Sequence, residues 1–234
     1  MKQVVHIFNK EFKDYFISPI AYIVIAVFLI VTGWLFFSTF FLYNQASLRN
    51  FFSLLPITFS LVIPAITMRL FAEEINIGSY EILLTMPVTF ADVILGKLLA
   101  GVAMVVSMLI PTLAYAITVA FLGELDWGPI IGGYFGAVLM GAAFASIGVF
   151  ASSLTRNQII AFIIGMAICF ALTLIDKMLF LFPGSILGVI GYIGADFHFQ
   201  NVARGIIDTR DIVYFLSVIF ISLYGAQLAM QEKK

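Results

Sequence analysis

The sequence has few charged residues: Asp, Glu, Lys and Arg make up 11% of its 234 residues, against about 25% in an ordinary soluble domain. One cysteine and two histidines exclude a disulfide framework and the usual Cys/His spacings of zinc sites. Basic and acidic residues nearly balance, at 12 and 13, so no basic face for nucleic acid is present. Hydrophobic residues reach 62% and the mean hydropathy is +1.11. The sequence therefore predicts an integral membrane protein surrounded by lipid.

Long uncharged stretches predict an all-α membrane fold. A helix needs about 20 apolar residues to cross the hydrocarbon core, where its backbone polar groups must bond to one another. Stretches of this kind predict six transmembrane helices near residues 20–42, 54–68, 94–122, 131–154, 157–175 and 212–230. A seventh uncharged stretch contains Pro183 and several glycines, which disfavour a continuous helix. We interpret residues 178–211 as a re-entrant and polar segment before the sixth span.

An even number of spans places both termini on the same side of the membrane. Eight of the 12 Lys and Arg residues then lie on that side, which the positive-inside rule assigns to the cytoplasm. Within residues 1–18, Val5, Phe8 and Phe12 recur at helical spacing with lysines between them. This pattern predicts an interfacial helix on the inner membrane surface. A cytoplasmic stub that only sets the orientation explains it equally well.

The chain lacks the residues of an enzyme or an ion-driven carrier. With Lys97 assigned to the cytoplasmic side, we expect all six spans to lack ionisable residues, which disfavours ion-coupled transport. No Ser/His/Asp set or paired carboxylates lie in the spans, so we expect no catalytic residues and no metal site. Gly96-Lys97 lacks the other residues of a phosphate-binding loop. Any ATP and Mg²⁺ would be bound by a separate subunit, and the chain itself would hold no cofactor.

The fourth span carries a series of small residues, including Gly132, Gly136, Gly141 and Gly148. Small faces let helices approach closely in lipid. We expect this face to pack within the chain, with a subunit interface as the alternative.

Charged residues concentrate between the second and third predicted spans, in residues 69–92. Arg69 and Glu73 are four apart and share one helical face, while Gly78 permits a chain break. Ser79 could cap a second short helix that ends before Pro87. Two short interfacial helices of this kind could press on a soluble partner, although a solvated loop is the alternative.

Two groups of residues resemble the membrane subunit of ABC-2-type transporters. The first group is Pro64, Met68-Arg69, Ala72-Glu73-Glu74, Gly78-Ser79, Glu81, Leu83-Leu84-Thr85, Pro87 and Gly96-Lys97. The second group is His198-Phe199, Asn201, Arg204-Gly205, Asp208, Arg210-Asp211 and Tyr214. The second group is similar to the small permeases related to gliding motility and to nitrous-oxide-reductase maturation. With the span count, the resemblance covers nearly the whole chain.

The resemblance implies a half-transporter in a bacterial cytoplasmic (inner) membrane. It implies a coupling helix between spans two and three, a second permease copy as homodimer or heterodimer, and a soluble ABC ATPase that docks on the cytoplasmic side. The residues implied in docking are Arg69, Glu73, Glu74, Gly78, Ser79 and Glu81, with Arg156 and Asn157 as a second contact. Ile75 and Asn76 stand where relatives often have basic residues, which is a departure from the pattern.

The outer segment contains His198, Arg204 and Asp208, for which binding is one interpretation and local capping or ion pairing another. Two functions follow from the sequence and the resemblance together. The first is an export permease that moves a lipid-soluble or amphipathic substrate with energy from the ATPase. The alternative is a subunit that passes ATP-driven motion to an extracytoplasmic partner without moving cargo. A passive channel is the least favoured.

Overall fold

The computed structural model describes residues 2–43, 47–78, 89–178, 191–206 and 208–232. Over these ranges the chain is helical and contains no strand, which confirms the predicted all-α class. The helices are α1 Lys2–Ile17, α2 Ile20–Tyr43, α3 Arg49–Thr67, α4 Arg69–Ile77, α5 Phe90–Leu122, α6 Trp127–Leu154, α7 Gln158–Leu174, α8 Ala195–Ala203 and α9 Thr209–Gln231.

Five stretches of the described chain are long and apolar enough to cross a membrane: Ile20–Phe40, Arg49–Ile77, Phe90–Leu122, Trp127–Leu154 and Thr209–Gln231. They establish an integral membrane protein. The fifth predicted span corresponds to α7, which is apolar but has 17 residues. The six-span topology therefore stays a prediction.

Helices α5 and α6 begin before the predicted spans, at polar residues that cap them. Helix α5 begins at Phe90 rather than near residue 94, since Thr89 and Asp92 form a reciprocal capping box. Helix α6 begins at Trp127 because the Asp126 side chain accepts a hydrogen bond from the Gly128 amide. Helix α5 thus extends past the charged residues Asp92 and Lys97, whereas α6 begins where its uncharged stretch begins.

Helix α6 lies at the centre of the bundle and uses its small residues for close contacts within the chain. Gly132 lies against the backbone of Val202 and Gly205, and Gly148 lies against Thr67. A Cβ atom at either glycine would overlap these neighbours. The expectation that the small face packs within the chain is confirmed.

Contacts along α6 fix which ends of the helices meet. Gly132 lies beside Gly205, just before α9, and Gly225 of α9 lies beside Phe150 near the end of α6. Helices α6 and α9 therefore run parallel, and α9 ends where α6 ends. Helix α4 contacts Ser152 near the end of α6 and Lys97 near the start of α5, where Gly96 also faces α1. We call this end of the bundle the α4 end and the opposite one the α8 end. Both described termini lie at the α4 end.

Candidate functional site

Helix α4 continues from α3 after a break that a side chain of α6 creates. The Ser152 hydroxyl accepts hydrogen bonds from the amides of Phe71, at 2.9 Å, and Ala72, at 3.0 Å. It donates in turn to the carbonyl oxygen of Met68, at 2.8 Å. In an uninterrupted α-helix these amides would bond to carbonyls four residues earlier. Insertion of a hydroxyl into this ladder separates α4 from the span before it and fixes its start on α6.

Helix α4 ends at the residue that the sequence singles out as a break. Gly78 has a φ of +78°, which is the left-handed conformation that glycine adopts without a Cβ clash. The helix is therefore nine residues long. The predicted second short helix, with Ser79 and Glu81, lies outside the described residues.

A buried lysine joins α4 to two other helices. The Lys97 side chain of α5 is 1% exposed, and its Nζ atom lies 2.9 Å from Glu11 Oε1 of α1 and 2.9 Å from Glu74 Oε1 of α4. The same ammonium donates to the carbonyl oxygen of Leu70 at 2.6 Å. An ammonium has three N–H donors, and three acceptors surround it here. Lys97 lies near the start of α5, where two carboxylates compensate its burial.

A second lysine completes a four-residue group, the Lys97 cluster, formed by Lys97, Lys10, Glu11 and Glu74. Lys10 Nζ lies 3.5 Å from both Glu11 Oε1 and Glu74 Oε1, with its side chain 61% exposed. Desolvation opposes the charge on Lys10, but the carboxylates of Glu11, Glu74 and Asp14 outweigh it and raise the pKa of this ammonium. Two cations therefore balance two carboxylates at the junction of α1, α4 and α5.

Arg69 is held by an aromatic ring rather than left free. Its guanidinium carbon lies 4.7 Å from the ring centroid of Tyr15, in the geometry of a cation–π contact. Tyr15 is buried, and its hydroxyl donates to the carbonyl oxygen of Ile66 at 3.1 Å. Burial raises the pKa of the Tyr15 phenol. Tyr15 therefore attaches the end of α1 to the α3–α4 junction.

A groove runs between α1 and α4 and has a volume of about 300 Å³. We call it the α1–α4 groove; its lining residues are Lys10, Glu11, Asp14, Arg69, Leu70, Glu73, Glu74 and Ile77. Four of these carry carboxylates and two are cationic. The groove therefore presents an excess of negative charge, which attracts basic groups.

The predicted docking residues have different surroundings. Arg69, Glu73 and Glu74 line the α1–α4 groove, but Arg69 contacts Tyr15 and Glu74 belongs to the Lys97 cluster. Glu73 makes no ion pair with any residue that the structure describes. Of the three, Glu73 is the one available to a partner, and its docking role remains a prediction.

The second predicted contact lies next to the end of α4. Asn76 of α4 and Arg156, Asn157 and Gln158 line a shallow cavity of about 390 Å³. Asn157 caps α7, since its side-chain oxygen accepts from the Ile159 amide at 2.9 Å. The two predicted contact regions, far apart in sequence, are therefore neighbours at the α4 end.

At the α8 end, His198 is buried in a closed polar arrangement. Its Nδ1 atom lies 2.6 Å from Asp211 Oδ1, and its Nε2 atom lies 2.9 Å from the carbonyl oxygen of Tyr192. Its ring stacks on Tyr214, whose hydroxyl donates to the Ile193 carbonyl at 2.6 Å. A carbonyl only accepts, so Nε2 carries a proton. These contacts fix residues 191–198 on α9, which favours the local interpretation of His198 over ligand binding.

The other outer residues have local roles or are exposed. Asp208 caps α9, since its side chain accepts from the Arg210 amide at 3.0 Å. Arg204 is exposed at the end of α8. Binding by either residue remains a prediction.

Two aspartates lie close together after α7. Asp196 is 6% exposed at its side chain and pairs with Lys177 at 3.1 Å, and Gln200 donates to it at 3.0 Å. Asp176 is near it, and its buried Oδ1 atom has no hydrogen-bond partner among the described residues. Desolvation and the charge of Asp196 raise the pKa of Asp176. Within the described part of the chain, no group of three or more His, Cys, Asp or Glu side chains could hold a metal.

Sequence reasoning missed the contacts that hold α4 in place. Ser152 appears in the sequence as one more small residue, and Lys97 as a cytoplasmic charge. A signal for Lys97 does exist: it stands within one helical turn of apolar residues on both sides, in Ile94-Leu95 and Leu98-Leu99. A charge so placed needs a buried partner, but the sequence alone does not identify Glu11 and Glu74.

Comparison with known proteins gives one family. A family model described as ABC-2 family transporter protein matches residues 5–219. A search of curated proteins finds no match. The matched residues include α4, the Lys97 cluster and the His198 contacts.

Proposed function

Because the chain belongs to the ABC-2 transporter family, we propose that it is the membrane-spanning permease subunit of an ATP-driven exporter. A separate soluble ABC ATPase binds ATP and Mg²⁺ and hydrolyses the nucleotide, and the permease converts this into movement of a lipid-soluble or amphipathic substrate. Two permease copies, identical or different, form the working unit. Within the family we assign the chain to the small permeases similar to those of gliding motility and nitrous-oxide-reductase maturation.

The observation that carries this proposal is the position of α4. It is a short helix with its own start, at the Ser152 contact, and its own end, at Gly78. It is attached to α6 by Ser152 and to α1 and α5 by Lys97. A partner that pushes on α4 therefore moves three other helices. These properties suit a coupling helix better than a solvated loop.

We propose that the ATPase docks on Glu73, on the rest of the α1–α4 groove and on the adjoining surface at Arg156 and Asn157. The excess of carboxylates in the groove favours a basic segment of the ATPase. Gly78, Ser79 and Glu81 belong to the same proposed surface because they follow α4 directly in the sequence. Of the two positions that depart from the family pattern, Ile75 is buried, whereas Asn76 is exposed and lines the cavity with Arg156 and Asn157. The proposed docking surface therefore carries a neutral amide at Asn76, where relatives often have a basic residue.

The proposed topology has six spans, with α7 as the fifth and both termini in the cytoplasm. The α4 end is then the cytoplasmic end and the α8 end the outer one, with α1 at the inner membrane surface. Ion coupling stays disfavoured, since Lys97 is held in ion pairs with Glu11 and Glu74 that account for its burial without a transport role. An apolar or amphipathic substrate suits the remaining helix surfaces better than an inorganic ion.

A matched pair of charge reversals tests the docking surface. The tagged permease, extracted in mild detergent, is used to capture the ATPase expressed with it. We expect Glu73→Lys to abolish or strongly weaken capture, because it places a cation against a basic partner. Glu124→Lys makes the same charge change at the α8 end and should leave capture unchanged. Equal capture by wild type and both variants would contradict docking at Glu73.

The alternative function, transmission of motion to an extracytoplasmic partner without cargo, also has a supporting observation. Residues 191–198 are attached to α9 by the buried His198–Asp211 contact and by the bond from Tyr214 to Ile193. Movement of α9 would therefore be passed to the outer surface. Recovery of a protein bound to the outer segment, with no solute accumulating in vesicles that contain the complex, would favour this alternative over export.

A further inference from the structure

We propose that Lys97 is the positioning residue that makes α1 and α4 move as one unit when the ATPase acts on the permease. The inference rests on the proposed function, in which the ATPase docks on α4. It adds a role for a residue that contacts neither the ATPase nor a substrate. The supporting observations are the burial of Lys97, the origin of its three acceptors and the way α1 packs on α5.

The three acceptors of Lys97 come from two different helices. Glu11 belongs to α1, whereas Glu74 and the carbonyl of Leu70 belong to α4. The Lys97 ammonium also lies 5.0 Å from the ring centroid of Phe71 in α4. The lysine itself is part of α5. One ammonium therefore connects three helices, and no water is needed to satisfy its donors.

Without Lys97, the α1 and α4 side chains at this junction would repel each other. Glu11 and Glu74 direct their Oε1 atoms at the same ammonium, each at 2.9 Å. Lys10 also lies between them, but at 3.5 Å from each and with most of its side chain exposed, so solvent screens its contribution. Lys97 is thus the buried cation that turns repulsion between α1 and α4 into attraction.

The polar attachments of α4 are divided between two sets of helices. Ser152 connects its first residues to α6, and Lys97 connects it to α1 and α5. Helix α1 also packs closely on α5, where Gly96 faces Val4 and Ile7. Loss of the Ser152 contact would therefore free α4 from α6 but leave α1 and α4 together. Loss of the Lys97 contact would leave α1 on α5 and would leave α4 joined to α1 by the Arg69–Tyr15 contact and by the exposed Lys10, without a buried cation between Glu11 and Glu74.

A distance measurement between spin labels tests this proposal on the full chain in lipid nanodiscs. The single cysteine, Cys169, is buried and is replaced by serine. Labels are then placed on the exposed positions Asn9 of α1 and Asn76 of α4. Because Asn76 adjoins the proposed docking surface, the labelled protein is used after capture shows that it binds the ATPase as the unlabelled protein does. In the wild-type background we expect one narrow distance, the same with and without bound ATPase, ATP and vanadate. In Lys97→Met the distribution of distances between the labels should be broad. Its mean should shift when nucleotide is bound. Lys97→Arg, which keeps the cation, should retain the single distance.

Ser152→Ala is the matched control, since it removes the other buried polar attachment of α4. It should leave the α1–α4 distance narrow. If Lys97→Met does not fold, Glu11→Gln weakens the same connection from the side of α1. It should broaden the distribution of distances between the labels, as Lys97→Met is expected to do. An unchanged distance in Glu11→Gln, or in a folded Lys97→Met variant, overturns the proposal. A nucleotide-dependent shift in the wild type overturns it as well.

ATPase capture distinguishes failure of this inference from failure of the proposed function. We expect Lys97→Met still to capture the ATPase, because Lys97 is buried and does not itself line the α1–α4 groove. Normal binding with an unaltered distance overturns the role of Lys97 alone. Absence of ATPase binding by the wild type overturns the proposed function and, with it, the transmission that Lys97 is proposed to serve.

Discussion

The Ser152 hydroxyl accepts a hydrogen bond from the Phe71 amide at 2.9 Å across 81 positions of sequence. It also accepts from the next amide and donates to the Met68 carbonyl. One small side chain of α6 thus satisfies three backbone groups at the junction of α3 and α4. The junction is therefore fixed by a specific contact rather than by a flexible turn.

Ser152→Ala should destabilise the protein, because two buried amides and one carbonyl lose their partner. We expect a loss of about 1–3 kcal/mol, the usual cost of leaving buried polar groups unsatisfied. Thermal unfolding in detergent measures the change. Ser107→Ala is the control, since the Ser107 hydroxyl bonds only to the Ala103 carbonyl of its own helix. Equal effects of the two substitutions would contradict the proposed importance of the Ser152 contact.

The two histidines of the chain should respond differently to substitution. His198 is buried with both ring nitrogens in hydrogen bonds, whereas His6 is exposed on α1. We expect His198→Ala to cost about 2–3 kcal/mol, since it removes a charge-assisted bond and leaves Asp211 buried. His6→Ala should change stability by less than about 0.5 kcal/mol. Thermal unfolding compares the two variants, and a similar effect at both positions would argue against the buried arrangement.

Asp176 gives a prediction about pH. The folded state raises the pKa of this carboxyl above the ordinary value of 3.8, through desolvation and the charge of Asp196, so its ionisation costs stability as pH rises above that value. Asp176→Asn removes this cost and should raise the Tm at pH 7. The advantage should disappear below pH 3.8, where the aspartate is also neutral.

Asp196→Asn provides the comparison for Asp176. Asp196 pairs with Lys177 and accepts a bond from Gln200, so its loss should lower the Tm at pH 7. Unfolding curves recorded at several pH values separate the two cases. A Tm that falls in Asp176→Asn at pH 7 would show that the Asp176 charge stabilises the fold.

Alanine substitutions at Gly96 and Gly101 of α5 test how closely α1 packs on this helix. A Cβ atom at Gly96 would lie 2.7 Å from Ile7 Cγ2 and 3.2 Å from the Val4 carbonyl oxygen. At Gly101 the nearest atoms would be 3.5 Å away, which is ordinary contact. We expect Gly96→Ala to cost about 1–3 kcal/mol through overpacking, whereas Gly101→Ala should be neutral or stabilise by up to about 1 kcal/mol.

Protease digestion adds a local measurement for the glycine pair. If Gly96→Ala moves α1 away from α5, cleavage within α1 should become faster than in the wild type and in Gly101→Ala. Equal cleavage and equal stability of the two variants would show that α1 is not closely packed at Gly96.

The helical class and most of the helices follow from the sequence, because hydrocarbon forces backbone groups into internal bonds and long uncharged stretches reveal where this occurs. The helix starts are less predictable. Asp92 and Lys97 mark an apparent boundary for the third span, yet both lie within α5, and Asp92 stabilises its first turn. The boundary at Asp126 coincides with the start of α6 at Trp127. A charge therefore shortens a predicted span only where it lies inside the helix.

The candidate site is predictable only in part. The helical spacing of Arg69 and Glu73 and the break at Gly78 locate α4 from local chemistry. Their contacts depend on tertiary structure: Arg69 lies on Tyr15, and Glu74 shares Lys97 with Glu11. These partners are far apart in sequence, and no local pattern pairs them. The same holds for His198, whose neighbour Asp211 comes from the next helix.

The central proposal is that a separate ATPase docks at the α4 end and drives this chain. Photo-crosslinking in intact cells tests it most directly, with a photoreactive residue in place of Glu73 and, as the control, in place of Glu124 at the α8 end. We predict that position 73 captures a soluble protein with a phosphate-binding loop and that position 124 does not. Capture of that protein at position 124, or no ATPase at position 73, would contradict the account.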